Sequence, residues 1–304
     1  MKCVCVLLST YNGDKYLQEQ LDSLYRQEGV ELLILARDDG SSDQTLSLLR
    51  RNAETHSFLR FYAGDNVGVV HSFFDLLANA PLADYYAFCD QDDVWDPDKL
   101  ACAVAMLEKQ NNTKPAMYYS NLRIVDANLQ FHRNSHAAPH TLPDKYCTLV
   151  DVAPTGCTMV FNQAARQMTI GRIPQKCTMH DIWLNMVCAF WGSVVYDFQP
   201  HISYRQHGDN VIGTYLDRIT ARIIIDRIVR LFDRGKQPRY ENAKNFLAQY
   251  QDLLAGEDLH AVEKMVHYKD SLHAKLDLLF DRRIHGKNIT RDLVYRLLII
   301  LGIA

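Results

Sequence analysis

Several features that would narrow the function quickly are missing. Eight cysteines are scattered through 304 residues without a single C-x-x-C pair. Cys3 and Cys5, two apart on a strand, would share one face rather than bridge each other, so the simplest reading is reduced thiols in the cytosol. No apolar run reaches the roughly 18 to 20 residues needed to cross a bilayer, the longest candidate being Leu297 to Ala304. The opening Met1 to Leu8 is too short for a secretory apolar region, and Ser9 to Gly13 offers no small-residue cleavage pattern. An excess of one charge is also lacking. With 33 basic and 36 acidic side chains the net charge of -3 gives no global attraction to nucleic acid or anionic lipid, so any such attraction must be local. Repeats and low-complexity tracts are absent too.

What is present is alternation. Short β-rich runs at Cys3 to Leu8, Leu32 to Arg37, Leu59 to Tyr62, Tyr85 to Cys89 and Ala116 to Ser120 are separated by helical patterns. The helices are expected over Tyr16 to Arg26, Thr45 to Asn52, Val69 to Asn79 and Pro97 to Lys109. This layout predicts an α/β fold with a mainly parallel central sheet and flanking helices. Polar loops follow the first, second and fourth strands, and ligands of open α/β sheets bind outside the carboxyl ends of strands, so these loops should converge on one crevice. From about Asp151 the chain reads as loop-rich, and beyond Leu216 as helical, with breaks at Gly235 to Pro238 and near Gly256. The expected division is 1–214 for the main domain and 215–304 for a helical C-terminal extension.

Two acidic loops carry the chemistry. In Asp38-Asp39-Gly40-Ser41-Ser42-Asp43, helix capping accounts for Ser42 and Asp43. The pair Asp38 and Asp39 exceeds what one cap needs, and it suits hydrogen bonds to a nucleobase imide and to ribose hydroxyls. In Phe88-Cys89-Asp90-Gln91-Asp92-Asp93-Val94-Trp95, three carboxylates stand within four residues, where mutual repulsion raises the cost of ionising each. Either the loop is solvated and caps the next helix, or a positive partner is expected. The oxygen-rich set is of the kind Mg²⁺ or Mn²⁺ prefers. Asp96-Pro97 reads as an ordinary N-cap with Pro at the first helical position.

Seven segments in order, LLSTYNGDKYLQEQLDSL, ARDDGSSDQT, GDNVGVVHSF, FCDQDDVW, TGCTMVFN, HDIWL and YRQHGDNVIG, resemble the family 2 inverting glycosyltransferases of the GT-A fold, especially the bacterial rhamnosyltransferase-like branch. The resemblance covers roughly residues 3 to 213. It implies that Thr10, Tyr11 and Asn12 line the base pocket, that Asp38 or Asp39 binds base and ribose, and that Asn66 and Gly68 border the nucleotide. It further implies that Asp90 and Asp92 form the D-x-D element of the metal site, Asp90 facing ribose or metal-bound water and Asp92 ligating a Mn²⁺ or Mg²⁺ ion that bridges the diphosphate, with Gln91 on the nucleotide-sugar side. Arg205 or His207 would approach the diphosphate, His207 as a further metal ligand. Thr155, Gly156 and Trp183 would lie beside the acceptor, while Cys157 reads as a packing residue, no basic group being its neighbour in sequence.

An inverting transfer needs one general base at the acceptor hydroxyl. Asp181 stands where the family carries its catalytic Asp after an acidic residue; here His180 replaces that residue and changes the local charge. Asp181 can also cap the helix through Trp183. The Q-x-x-R-W of processive members is replaced by Tyr204-Arg205-Gln206-His207, which implies a non-processive enzyme.

Within Tyr215 to Asp233 apolar residues fall near helical spacing, with Arg218, Arg222, Arg227, Arg230 and Arg234 around them; packing on the main domain and lying on an anionic membrane are both open. Leu293 to Ile303 is expected to add an apolar anchor. The expectation is therefore a metal-dependent transferase on the cytoplasmic side, peripheral at the inner membrane face. It would move a sugar from a nucleotide-diphosphate donor, dTDP-rhamnose or a UDP-hexose, to a glycan or lipid-linked acceptor in surface polysaccharide synthesis, with no nucleic-acid partner. The rivals are a nucleotidyltransferase acting on sugar phosphates, which should carry a Gly-rich basic loop after the first strand, and a non-catalytic, membrane-associated nucleotide-sugar binding protein.

Overall fold

A computed structural model describes residues 1–137, 142, 144–151, 154–207 and 237–304. Gly208-Asp209-Asn210 and the basic stretch at 215–233 lie outside the described residues. The chain divides into two units. One comprises residues 1–142, 154–171 and 191–216, the other residues 143–153, 172–190 and 217–304.

The first unit is built on a mixed sheet. Strands β1 (Cys3–Thr10), β2 (Glu31–Asp38), β3 (Leu59–Ala63) and β4 (Tyr85–Cys89) are parallel, in the order β3-β2-β1-β4. Val4 to Leu8 and Tyr85 to Cys89 are buried on both faces, which is why they read as continuous apolar runs. Beyond β4 the sheet continues through β8 (Val160–Asn162), β6 (Ala116–Val125), β9 (Ser193–Arg205) and β5 (Val94–Trp95), with β7 (Phe131–Asn134) beside β6. In that half β8, β7 and β5 run antiparallel to their neighbours. The expected parallel core is thus joined to a mixed half.

Helices α1 (Leu17–Tyr25), α2 (Thr45–Thr55), α3 (Gly68–Asn79), α4 (Lys99–Leu107) and α5 (Gln163–Ile170) follow. In α1, Leu17, Gln20, Leu21 and Leu24 are buried at helical spacing. Helix α4 starts later than expected: its N-cap is Asp98, while Asp96 pairs with Arg123 instead of capping. The region read as loop-rich holds α5, α6 (His180–Trp191) and the 13-residue β9.

The second unit is helical around a core of its own. It contains most of α6 and the whole of α7 (Pro238–Tyr250), α8 (Gly256–His267), α9 (Leu272–Phe280) and α10 (Ile289–Leu301). Pro238 occupies the first turn of α7, where its missing N–H costs nothing. No helix among the described residues is long and apolar enough to cross a membrane. Half of the expected apolar anchor is in fact core, since Tyr295, Leu298 and Ile299 are buried.

Candidate active site

Register decides where the polar loops go. Thr10 pairs with Asp38 and Asp38 with Ala63, so β1, β2 and β3 end side by side, and Leu8 of β1 is level with Cys89 of β4. The loops that leave these ends are bonded to one another. Asn12 N–H donates to Ser41 Oγ, Asn12 Oδ1 accepts from Ser42 N–H, Gly13 N–H donates to Thr45 Oγ1, and Asp14 N–H donates to Asp43. Asp43 also accepts from Thr45 N–H in the first turn of α2, and these bonds keep its carboxyl below the usual range despite partial burial. Ser42, expected as a cap, instead meets Asn12.

Gln91 joins the acidic loop to the first loop. Its Oε1 accepts from Tyr11 N–H at 2.8 Å and its Nε2 donates to Tyr11 O at 3.0 Å, as a neighbouring strand would. A Cβ at residue 13 would lie 2.1 Å from Gln91 Oε1, so glycine is what lets the amide fit. Tyr11, whose backbone this clamp holds, is 48% exposed.

Asp38 and Asp39 lie beneath these loops. Asp38 accepts from Thr10 Oγ1, Ser41 N–H and Ser41 Oγ. Asp39 accepts from Arg37 and from the Val67 and Gly68 amides. Gly40 between the two loops has φ +80°, a conformation glycine adopts without penalty. Asn66 and Gly68 are exposed at the rim. Direct contact of Asp39 with a nucleotide would require exchanging one of its bonds. Its present role is to hold the 64–68 loop against the other two, with Arg37 fixed in turn by Asp75 at 2.9 Å.

The acidic residues separate into two environments. Asp92 Oδ2 is 2.7 Å from His207 Nε2, both side chains being partly open to solvent. Asp93 is fully buried, accepts from the Arg205 amide, and has its carboxyl pushed well up by burial and then by the charges of Asp92 and Asp90. Asp90, Asp93 and Cys157 bring one donor atom each within 4.8 Å of one another. Cys157 is a packed thiol pushed well up by burial, in agreement with its reading as a packing residue.

Arg205, expected to approach the diphosphate, is bonded within the protein. Its guanidinium is buried and donates to Asp92 O, Ala127 O and Glu19 Oε2, and it lies 4.4 Å from the Tyr16 ring centroid. It is a strut for the acidic loop. Of the two candidates named for the diphosphate, Arg205 meets the Asp92 carbonyl and His207 the Asp92 carboxylate.

A positive partner missed in the sequence is Lys99. It is fully buried, its Nζ donates to Cys157 O at 2.8 Å and sits 3.1 Å from the Trp95 ring centroid. Burial lowers its pKa to about 8, against the pull of Cys89, Cys157, Asp93 and Asp90. In the sequence it is one lysine in the first turn of an amphipathic helix, with nothing to mark it. Thr155 and Gly156 enter the short 3₁₀ turn Gly156–Thr158 whose Cys157 carbonyl Lys99 holds.

Asp181 and His180 belong to the second unit, at the first turn of α6. Asp181 is 4% exposed and its Oδ1 accepts from Ile182 N–H at 2.7 Å. His180 is buried, and burial lowers its pKa to about 3. The neutral ring therefore brings no charge near neutral pH, so the local charge differs from that of the acidic residue it replaces by the loss of one negative charge. Trp183, expected beside the acceptor, is 1% exposed and packs on Phe246 and Tyr250, so it is a core residue of that unit.

A cavity of about 480 Å³ lies at the opposite, N-terminal ends of β1 and β4. Its Lys2, Tyr85 and Glu108 satisfy one another, and the loops that follow β1, β2 and β4 do not line it.

Strand-end loops bonded into one rim, with carboxylates and an imidazole converging beside them, are suited to holding a nucleotide through its base, ribose and phosphates. Comparison with known proteins agrees. A dTDP-rhamnosyl transferase, RfbG of Shigella flexneri, is 28% identical over 68% of this chain and 73% of its own length. An uncharacterised glycosyltransferase of Rickettsia typhi is 21% identical over 71% of this chain and 68% of its own. Among solved structures, S. aureus TarS in complex with UDP-GlcNAc matches 99% of this chain and 91% of that one, with TM-score 0.56 and 15% identity. The mannosyltransferase PcManGT of Pyrobaculum calidifontis in complex with GDP-Man and Mn²⁺ matches 98% and 87%, with TM-score 0.50 and 17% identity. The model for glycosyl transferase family 2 matches residues 5–168, more than half of the chain, and the chain belongs to that family of nucleotide-sugar glycosyltransferases.

Proposed function

We propose that the chain is a metal-dependent, inverting and non-processive glycosyltransferase that uses a deoxythymidine or uridine diphosphate sugar, dTDP-rhamnose in first place, and extends a glycan or lipid-linked saccharide of the cell surface. The observation that carries the metal dependence is the approach of Asp92 to His207 at the rim formed by the strand-end loops. The rhamnose donor is carried over from the relative named above.

The donor atoms fit a divalent cation. A carboxylate and an imidazole side by side, with Asp90 close in sequence, make a set harder than a thiolate site and softer than the all-oxygen shell Mg²⁺ favours, which points to Mn²⁺. When bound, such an ion supplies Lewis-acid neutralisation of the diphosphate leaving group.

The chain's own residues do the rest. The exposed Tyr11 ring and the Asn12 loop take the base, and the rim at Asn66 to Gly68 borders the nucleotide. Asp38 and Asp39 keep these loops in register. Arg205 and Glu19 keep the carbonyl of Asp92, and hence its side chain, in place. The general base is assigned to Asp181, which would take the proton of the acceptor hydroxyl; the neutral His180 beside it leaves that carboxylate without an added cation. Thr155 and Gly156 are assigned to the acceptor side. A lipid-linked acceptor places the enzyme at a membrane surface.

The test is a panel of nucleotide diphosphate sugars measured by thermal shift with and without Mn²⁺. Stabilisation by dTDP- or UDP-sugars that requires Mn²⁺ and is lost in Asp92→Ala supports the reading. Equal stabilisation in the presence of chelator would overturn metal dependence.

A further inference from the structure

The second unit ends in a hairpin whose outer face is apolar. On α9, Leu272, Leu276 and Phe280 recur every four residues and all stand in solvent, Phe280 at 75% exposure. On α10, Ile289, Leu293, Leu297, Ile300 and Leu301 fall within about a third of the helix circumference, and they too are exposed. The opposite faces hold the unit together through Leu278, Tyr295, Leu298 and Ile299.

The two stripes are adjacent. Lys275 Nζ donates to Ile300 O at 3.3 Å, while the Arg296 guanidinium donates to Leu279 O at 2.6 Å and Ile284 O at 2.9 Å, so the helices run antiparallel with their exposed rows side by side. A surface of this kind marks an interaction site.

Charge around it is net positive. Residues 271–304 contain six Lys and Arg against three Asp and no Glu, in a chain whose total is -3. The three acids are already engaged: Asp277 and Asp281 with Lys264, Asp281 also with Arg283, and Asp292 with Arg296. Arg282 and Lys287, at the turn between the helices, are exposed and make no ion pair among the described residues. Arg291 is 3.9 Å from its nearest acid, Asp151.

We infer that this hairpin is a docking surface for an anionic lipid bilayer, lying flat with its aliphatic rows among the acyl chains and Arg282, Lys287 and Arg291 at the level of the phosphates. The inference rests on the reading of a membrane-located acceptor and names the surface that would bring the enzyme to it. Helix α10 has 13 residues, about 20 Å, which suits an interfacial helix and is too short to span. A second copy of the chain is the weaker occupant. The rows are Leu and Ile with one Phe, lacking the Trp and Tyr anchors enriched at protein interfaces, and the face offers no free acid for the cations at its turn.

The test is flotation of the full chain with vesicles of phosphatidylcholine alone and of equal parts phosphatidylcholine and phosphatidylglycerol. The wild type should float with the mixed vesicles and at least tenfold less with the neutral ones. Leu293→Glu with Leu297→Glu should abolish flotation, and Arg282→Glu with Lys287→Glu should remove the preference for the anionic lipid while leaving the apolar rows intact. Thermal stabilisation by dTDP with Mn²⁺, measured on each variant without vesicles, shows that the protein is folded and separates failure of docking from failure of the nucleotide reading. Wild type that stays at the bottom with both vesicles overturns the inference, as does equal flotation of the leucine variant. A concentration-dependent dimer that the leucine variant dissolves would assign the face to a second copy instead.

Discussion

His207 Nε2 lies 2.7 Å from Asp92 Oδ2 although 115 residues separate them in the chain. The pairing depends on β9, which pairs with β5 next to the acidic loop, and on Arg205, whose amide binds Asp93 and whose guanidinium binds Asp92 O. One strand thus delivers the imidazole proposed as a metal ligand and locks the loop that carries its partner.

Removing either side chain should therefore be visible without any acceptor. Asp92→Ala is expected to eliminate the Mn²⁺-dependent part of nucleoside diphosphate binding. His207→Ala should weaken Mn²⁺ affinity by at least roughly tenfold, the lower bound seen even for outer-sphere partners of a metal. Titration calorimetry of Mn²⁺ in the presence of dTDP measures both; unchanged Mn²⁺ affinity in His207→Ala would remove it from the site.

A base and a donor site can be separated by kinetics. Asp181→Asn keeps the shape and the hydrogen-bond acceptor toward Ile182 N–H while losing the ability to take a proton. Transfer should fall by about 10²–10⁴-fold, the usual contribution of a positioned base. Donor binding, followed by thermal shift, should stay within experimental scatter. A variant that turns over at the wild-type rate would place the base elsewhere.

The parallel strands were visible in the sequence because they are buried on both faces, so Val4 to Leu8 and Tyr85 to Cys89 appear as unbroken apolar runs. Their polar ends were visible for the same reason, since the pattern stops abruptly. Strand β9 was not. Its residues from Ser193 to Gln199 are mostly half-buried, and Asp197, Pro200 and His201 interrupt any alternation, the register against β6 shifting where Pro200 enters. The motifs pointed to Asp92 and His207, which the fold brings side by side, and also to Arg205 and Trp183, which are packed inside. Burial of a long side chain depends on what lies across from it, here Glu19 for Arg205 and Phe246 for Trp183, and neither is a sequence neighbour.

The buried His180 makes acid stability testable. Its folded pKa is lowered from 6.5 to about 3 by burial, so below pH 6.5 the unfolded state takes up a proton that the folded state refuses. The contribution is complete above pH 6.5 and is lost as the pH falls toward 3. At pH 5 this amounts to about 2 kcal/mol of lost stability relative to pH 7. His180→Gln should reduce the difference between urea midpoints at pH 7 and pH 5; an identical pH dependence in the variant would show that the ring is protonated in the fold.

The clamp between loops can be tested by coupling. Alanine at Gly13 would put a Cβ 2.1 Å from Gln91 Oε1 and 2.3 Å from Cδ, so the amide must leave and both bonds to Tyr11 are lost. Residue 13 has no positive φ, so the substitution acts through this contact rather than through backbone strain. Two such bonds are worth about 1–3 kcal/mol together, and freeing the Tyr11 loop should weaken donor binding by roughly tenfold. Gln91→Ala alone should cost about the same. The double variant should be no worse than Gln91→Ala, because with the amide gone the added methyl group meets empty space. A cycle built on donor Kd measures the coupling. If the two losses simply add, Gly13 and Gln91 act independently and Tyr11 is held by something other than this amide.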